Sequence, residues 1–193
     1  MTPRILPAAG RRPVPWKNGG GVTTQVAAAP EGAGTEDFAW RVSVAEVAHG
    51  GPFSAFEGVD RIITLVDGPG MVLTVDGVRQ VVDAPGEPFA FSGDAATDCE
   101  LLGGPVVDFN VMVRRGQVSA EVRVARGPTE VRAAAGSRVL AVVLSGTAAP
   151  ERTGARLGRL DAVLLEAGEA ESFAVTGALA VVTFSNSAVP GAS

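Results

Sequence analysis

Short runs rich in Val, Ile, Leu or Phe recur along this chain, and no stretch keeps the 3.6-residue rhythm of an amphipathic helix. The runs cover residues 38–44, 61–65, 71–75, 88–91, 107–113, 138–144, 162–165 and 178–184. Turn pairs such as Asp67-Gly68, Asp76-Gly77 and Pro85-Gly86 close them. A strand buries a face only against a second layer, so the pattern predicts an all-β sandwich or barrel. Composition agrees. Of 193 residues 46% are hydrophobic and only 19% charged, enough for a large core, while 25 Gly and 13 Pro supply turns.

The same numbers exclude several function classes. A net charge of -5 repels a phosphate backbone, so no nucleic-acid partner is expected. One cysteine, Cys99, rules out an intrachain disulfide. Residues 1–15 lack the apolar core of a secretory signal, and the run at 138–144 is far shorter than the roughly 18 residues that cross a bilayer. The expectation is a cytoplasmic protein with no membrane partner.

The two halves echo each other. Arg61-Ile62-Ile63-Thr64-Leu65-Val66-Asp67-Gly68 resembles Arg138-Val139-Leu140-Ala141-Val142-Val143-Leu144-Ser145-Gly146, and each leads to a Gly-Glu pair, Gly86-Glu87 and Gly168-Glu169. The repeat implies two stacked β-barrel or jelly-roll modules in one chain. Residues 1–119 form the first, with the pocket, and 120–193 the second, ending in a short disordered tail from Ala188. Segments 27–37 and 148–154 read as loops or linkers.

Five ordered signatures carry a family resemblance: Trp16-Lys17-Asn18-Gly19-Gly20-Gly21-Val22-Thr23, Trp40-Arg41-Val42-Ser43-Val44-Ala45, the stretch from Gly51 to Arg61, Phe91-Ser92-Gly93-Asp94, and Asp108 to Arg115. Together they resemble the HutD/Ves family. The resemblance implies a double cupin (bicupin) and an association with histidine utilisation or stress response, without an established reaction. It also implies a binding or regulatory role toward a small acidic metabolite such as formylglutamate. A homodimer built through sheet faces or edges is left open.

Metal-dependent cupins typically carry G-x5-H-x-H-x3-4-E-x6-G and then P-x-G-x2-H. With Gly68 as the closing glycine, Arg61 stands at the glutamate, Ser54 and Phe56 at the two histidines, and Ala96 near the third. A guanidinium cannot ligate a divalent cation and repels one. His49 and Cys99 are the only histidine and cysteine, so no metal and no other cofactor is expected.

Strand alternation puts Arg41 and Ser43 on one face, Asn110 and Met112 with Asp108 on another, and Arg61 in phase with Ile63 and Leu65. If these faces point inward, Arg61, Arg41, Ser43 and Asn110 converge on a cavity that grips a carboxylate, with Met112 and Ser54 beside them. The alternative is that they face solvent, or that Arg61 pairs with Asp60, Asp94 or Asp108. Trp16, Asn18 and Gly20 belong to a glycine-rich turn whose N–H groups form an anion nest over the mouth, or else simply a tight turn. An enzyme without Tyr and with one loop His needs Asp94, Asp108 or Glu57 as its acid or base. The reading adopted is binding without catalysis.

Overall fold

The computed structural model describes residues 3–187; the tail expected to be disordered, 188–193, lies outside the described residues. Among the described residues there are sixteen strands and no helix. In chain order the first eight are β1 (Arg4–Leu6), β2 (Val14–Pro15), β3 (Gly21–Ala29), β4 (Trp40–Val47), β5 (Gly51–Pro52), β6 (Val59–Asp67), β7 (Met71–Val75) and β8 (Val78–Val82). The rest are β9 (Pro88–Ser92), β10 (Thr97–Leu101), β11 (Val106–Arg114), β12 (Val118–Ala125), β13 (Thr129–Arg132), β14 (Ser137–Pro150), β15 (Ala162–Leu165) and β16 (Ala170–Asn186). Every apolar run picked out in the sequence overlaps one of them.

Two compact units divide the chain: Arg11–Arg115, and Gly116 onward together with the first ten residues. The division expected at 119/120 left those ten residues in the first module. They join the other unit because β1 pairs with β15 and the Ala8 N–H donates to Asp161 Oδ1 at 2.7 Å. A three-residue strand is too short to announce its partner in the sequence.

In Arg11–Arg115 a four-stranded sheet, β5-β10-β7-β8, lies against a six-stranded one, β2-β3-β4-β11-β6-β9. Ala45, Ile63 and Leu65 of the larger sheet share one core cluster with Met71, Leu73, Val82 and Cys99 of the smaller. Ile63, Leu65, Met71 and Leu73 are completely buried, each worth roughly 1.5–3 kcal/mol. No strand pairs across the two sheets, so the expected barrel is open and the unit is a sandwich.

The other unit is a single sheet, β1-β15-β14-β16-β12, with β13 also on β16. Its long strands β14 and β16 bend at an irregularity between Val143 and Ser145. There Gly146 and Gly177 face each other with φ of +71° and +104°, and a Cβ on either would run into the opposite backbone. The enclosed cluster of Val139, Ala141, Val163, Leu165, Phe173 and Leu179 with their neighbours is hydrocarbon throughout. Two segments read as loops are partly strand: Ala27–Ala29 completes β3, and Ala148–Pro150 continues β14 opposite Phe173–Val175. Alanine's small side chain gives no strand signal, but its backbone still pairs.

Candidate functional site

The register of three neighbouring strands assembles the polar residues. Asn110 on β11 lies between Ser43 on β4 and Ile63 on β6; one step along, Met112 lies between Arg41 and Arg61, and one step back Asp108 lies between Ala45 and Leu65. Since Ala45, Ile63 and Leu65 all point into the core shared with the facing sheet, this whole face points inward. Ser43, Arg61, Asp108, Asn110 and Met112 are accordingly buried, at 2%, 5%, 2%, 8% and 3% exposure.

Arg61 is the most heavily committed of them. Its guanidinium carbon sits 5.4, 5.5 and 5.0 Å from the ring centres of Phe53, Phe56 and Phe91. Its one hydrogen bond among the described residues, from Nη1 to the Ser54 carbonyl, is stretched to 3.5 Å, and Nε is buried with no partner. Burial lowers its pKa to about 10, Asp108 working in the opposite direction and Arg41 adding to the fall, so it stays cationic at neutral pH. Cation–π contacts recover roughly 0.5–2 kcal/mol each. Removing an ion from water costs several kcal/mol, so the rings offset the burial but leave the fork of donors unsatisfied.

Arg41 is half-buried, its Nε donating to Gln25 Oε1 at 2.7 Å, and burial lowers its pKa too. Asn110 Oδ1 is buried without a hydrogen-bond partner. Asp108 is pushed up to about 7 by burial, against the favourable charge of Arg61. One face thus gathers two cations, an acid near its titration point and an orphaned amide oxygen.

Other expected partners go elsewhere. Asp60 and Asp94 both pair with Arg115, at 2.7 and 2.8 Å, so neither neutralises Arg61. The Gly58 N–H, Arg115 and Ser92 hold the Asp94 carboxyl down to about 2, and Glu57 is exposed, which removes both as acid or base candidates. The same Gly58–Asp94 bond, at 2.8 Å, helps pin the segment that carries Phe53 and Phe56 over Arg61, as does the Phe56 N–H to the Gly93 carbonyl at 2.7 Å. Ser54 contributes its carbonyl rather than its exposed side chain.

The glycine turn is a correction. The Gly19 N–H donates to the Trp16 carbonyl and the Gly20 N–H to Asn18 Oδ1, at 3.0 and 2.9 Å, so the proposed nest has spent its donors on its own turn. Asn18 is exposed, and the Gly20 carbonyl receives the N–H groups of Ala48 and His49. Trp16 does reach the core: it packs edge-on to Phe53 at 6.0 Å and donates from Nε1 to Thr23 Oγ1 at 2.7 Å. A separate groove of about 450 Å³ is lined by Gly19, Gly21, Glu46, Val47, Asp67 and Val106 among others. Its ionisable residues are both acids, which is the wrong sign for an anion.

Sequence reasoning missed Gln25, which pairs directly with Ser43 at the point where a bulge between Gln25 and Ala27 interrupts the alternation of β3. It also missed the three-ring collar, since Phe91 lies far along the chain from Phe53 and Phe56. No group of three or more His, Cys, Asp and Glu able to hold a metal ion occurs among the described residues. His49 is exposed, and burial, with Asp108, Asp98 and Glu100, pushes the Cys99 thiol up to about 12. These side chains do not fit a metal centre.

Comparison with known proteins agrees with the fold. The chain is 37% identical over 159 residues to a 21.2 kDa protein from the hutC 3′ region of Pseudomonas putida, covering 81% of this chain and 83% of that one. It is 38% identical over 133 residues to protein Ves of Cronobacter sakazakii, covering 68% and 70%. A solved structure of HutD from Pseudomonas fluorescens SBW25, in a formate condition, superposes with a TM-score of 0.81 at 32% identity over 96% of this chain and 99% of that one. The Escherichia coli pirin YhhW in complex with nickel(II), at 12% identity and a TM-score of 0.67 over 96% and 99%, shares the cupin-type fold alone. The family model described as HutD matches residues 8–183, and the chain belongs to the HutD family.

Proposed function

We propose that this chain is a metal-free binding protein of histidine utilisation that holds a small acidic metabolite on the inward face of β4, β11 and β6. The observation that carries this reading is Arg61: a buried cation that has no ion pair among the described residues and has an orphaned Nε, beside an orphaned Asn110 Oδ1. A carboxylate would satisfy the guanidinium in the bidentate manner it is shaped for, and Asn110 would accept from an amide or formamide N–H. A formylglutamate-like compound has both groups. The hutC-region relative and the HutD structure support the link to histidine utilisation, and the proposed role is cytoplasmic and regulatory.

Isothermal calorimetry with N-formylglutamate, glutamate, urocanate and formate tests the reading. Micromolar binding of at least one, weakened about 100-fold by Arg61→Ala, is the expected result. No heat with any of them would end it.

One observation favours catalysis as a second reading. An acid poised near 7 suits a general base, and Asp108 is the one candidate left on the inward face. Turnover of a histidine-pathway intermediate, lost in Asp108→Asn, would select it.

A further inference from the structure

The charge count on the inward face carries one step more. Every titratable group facing Asp108 can be named. β6 brings Arg61 and β10 brings Cys99, each coupled to Asp108, while Arg41 on β4 stands opposite Met112 and acts on Arg61. β7 adds only Met71 and Leu73, and β9 only Phe89 and Phe91. The Cys99 thiol keeps its proton until about 12 and so adds no charge. Two guanidinium cations and one carboxyl therefore set the balance of this face, Arg61 and Asp108 buried and Arg41 half-buried at its edge.

We propose that Asp108 is a specificity-determining group that matches this site to the charge of its ligand, a dicarboxylate being bound together with one proton taken up on the Asp108 carboxyl. The inference rests on the anion-binding reading above. With Asp108 ionised, a monocarboxylate brings the sum over this face to zero. A dicarboxylate leaves one negative charge in excess, in a medium where such an excess is costly. Protonating Asp108 restores neutrality and converts an acceptor into a hydrogen-bond donor. The proton comes from solvent, and no bond other than the O–H forms or breaks.

Linkage fixes the sign. Asp108 titrates near 7 in the free protein, and a bound dianion raises that value further. Affinity for the dianion must then fall about tenfold per pH unit above pH 7, until the bound-state value is passed. Both carboxylates of N-formylglutamate stay ionised from pH 6.5 to 8.5, so the ligand adds no slope of its own.

The experiment is calorimetry of the wild-type chain with N-formylglutamate and with formate across that range, repeated at pH 7.5 in phosphate and in Tris, whose ionisation enthalpies differ. Expected are uptake of more than about half a proton with the dianion, a slope at least about threefold shallower with formate, and a flat profile for Asp108→Asn. That variant should bind the dianion about tenfold or more tightly than wild type at pH 8.5. Dianion binding that is flat in pH, equal slopes for the two probes, or a slope retained in Asp108→Asn overturns the proposal while leaving anion binding intact. Silence from both probes at every pH overturns this proposal, and silence from glutamate and urocanate as well overturns the binding reading itself. The two-buffer measurement needs no variant, so a misfolded Asp108→Asn would not blunt the test.

Discussion

Arg61 and Arg138 open the two stretches that echo each other in sequence, yet they meet opposite fates. Arg61 lies in phase with Ile63 and Leu65 and is 5% exposed inside a ring of phenylalanines. Arg138 lies out of phase with the enclosed residues Val139, Ala141 and Val143, stays exposed, and donates from Nε to Glu166 Oε2 at 2.7 Å. A shift of one residue flips a strand's side chains to the other face. The same letter at the same place in a repeat therefore marks a buried site in one unit and a surface ion pair in the other. The difference extends across both units: the first gathers Ser43, Arg61, Asp108 and Asn110 on one inward sheet face, while the second buries a cation nowhere among its described residues and its buried polar residues are Ser137, Glu169 and Glu171.

The sharpest break to try is at Asp108. Its carboxyl titrates near 7 folded and near 4 unfolded. Below about pH 4 both states carry the proton and the group is neutral to stability. Between about 4 and 7 the unfolded chain alone releases it, so stability falls as pH rises, by roughly 4 kcal/mol in all. Chemical denaturation should therefore find Asp108→Asn level with wild type near pH 4 and more stable by up to that amount at pH 8. Parallel stability curves would mean that the carboxyl is not held in this environment.

Next in size is Arg61→Met, expected to weaken carboxylate binding about 100-fold, or roughly 3 kcal/mol. Cation–π gain and desolvation cost are comparable, so folding stability should move by less than about 2 kcal/mol. A much larger loss of stability with binding intact would make Arg61 a structural plug. Asn110→Leu comes third, with about a tenfold loss for ligands bearing an amide N–H and little change for formate, read by the same titrations. Smallest is Arg138→Ala. An exposed pair is worth under about 1 kcal/mol, and neither melting nor ligand affinity should move measurably. Binding lost in this variant would erase the contrast between the two units.

The strands were legible because valine-rich runs and glycine turns are local signals. Arg61 was legible too, through its phase with Ile63 and Leu65. What the sequence hid depends on residues far apart in the chain. β1 finds β15 across most of the molecule, and the collar joins residues 53, 56 and 91. The glycine turn allowed two readings because consecutive glycines look the same whether their N–H groups are free or, as here for Gly19 and Gly20, consumed by Trp16 and Asn18. Asp108 was visible as an alternating residue, but its shifted acidity comes from complete burial, which no local pattern reports.

The sheet that carries the site is buried on its reverse as well, with Val42, Phe109 and Val111 at 0% exposure and Val44 and Val113 at 3% and 4%. Polar chemistry can thus change only on alternate squares of a checkerboard, spaced about 4.8 Å between strands and about 6.8 Å along them. Positions 41, 43, 61, 108, 110 and 112 are those squares. A library confined to them could retune which acid the protein accepts while the intervening valines keep the fold, making the site a small, nearly independent alphabet for engineering.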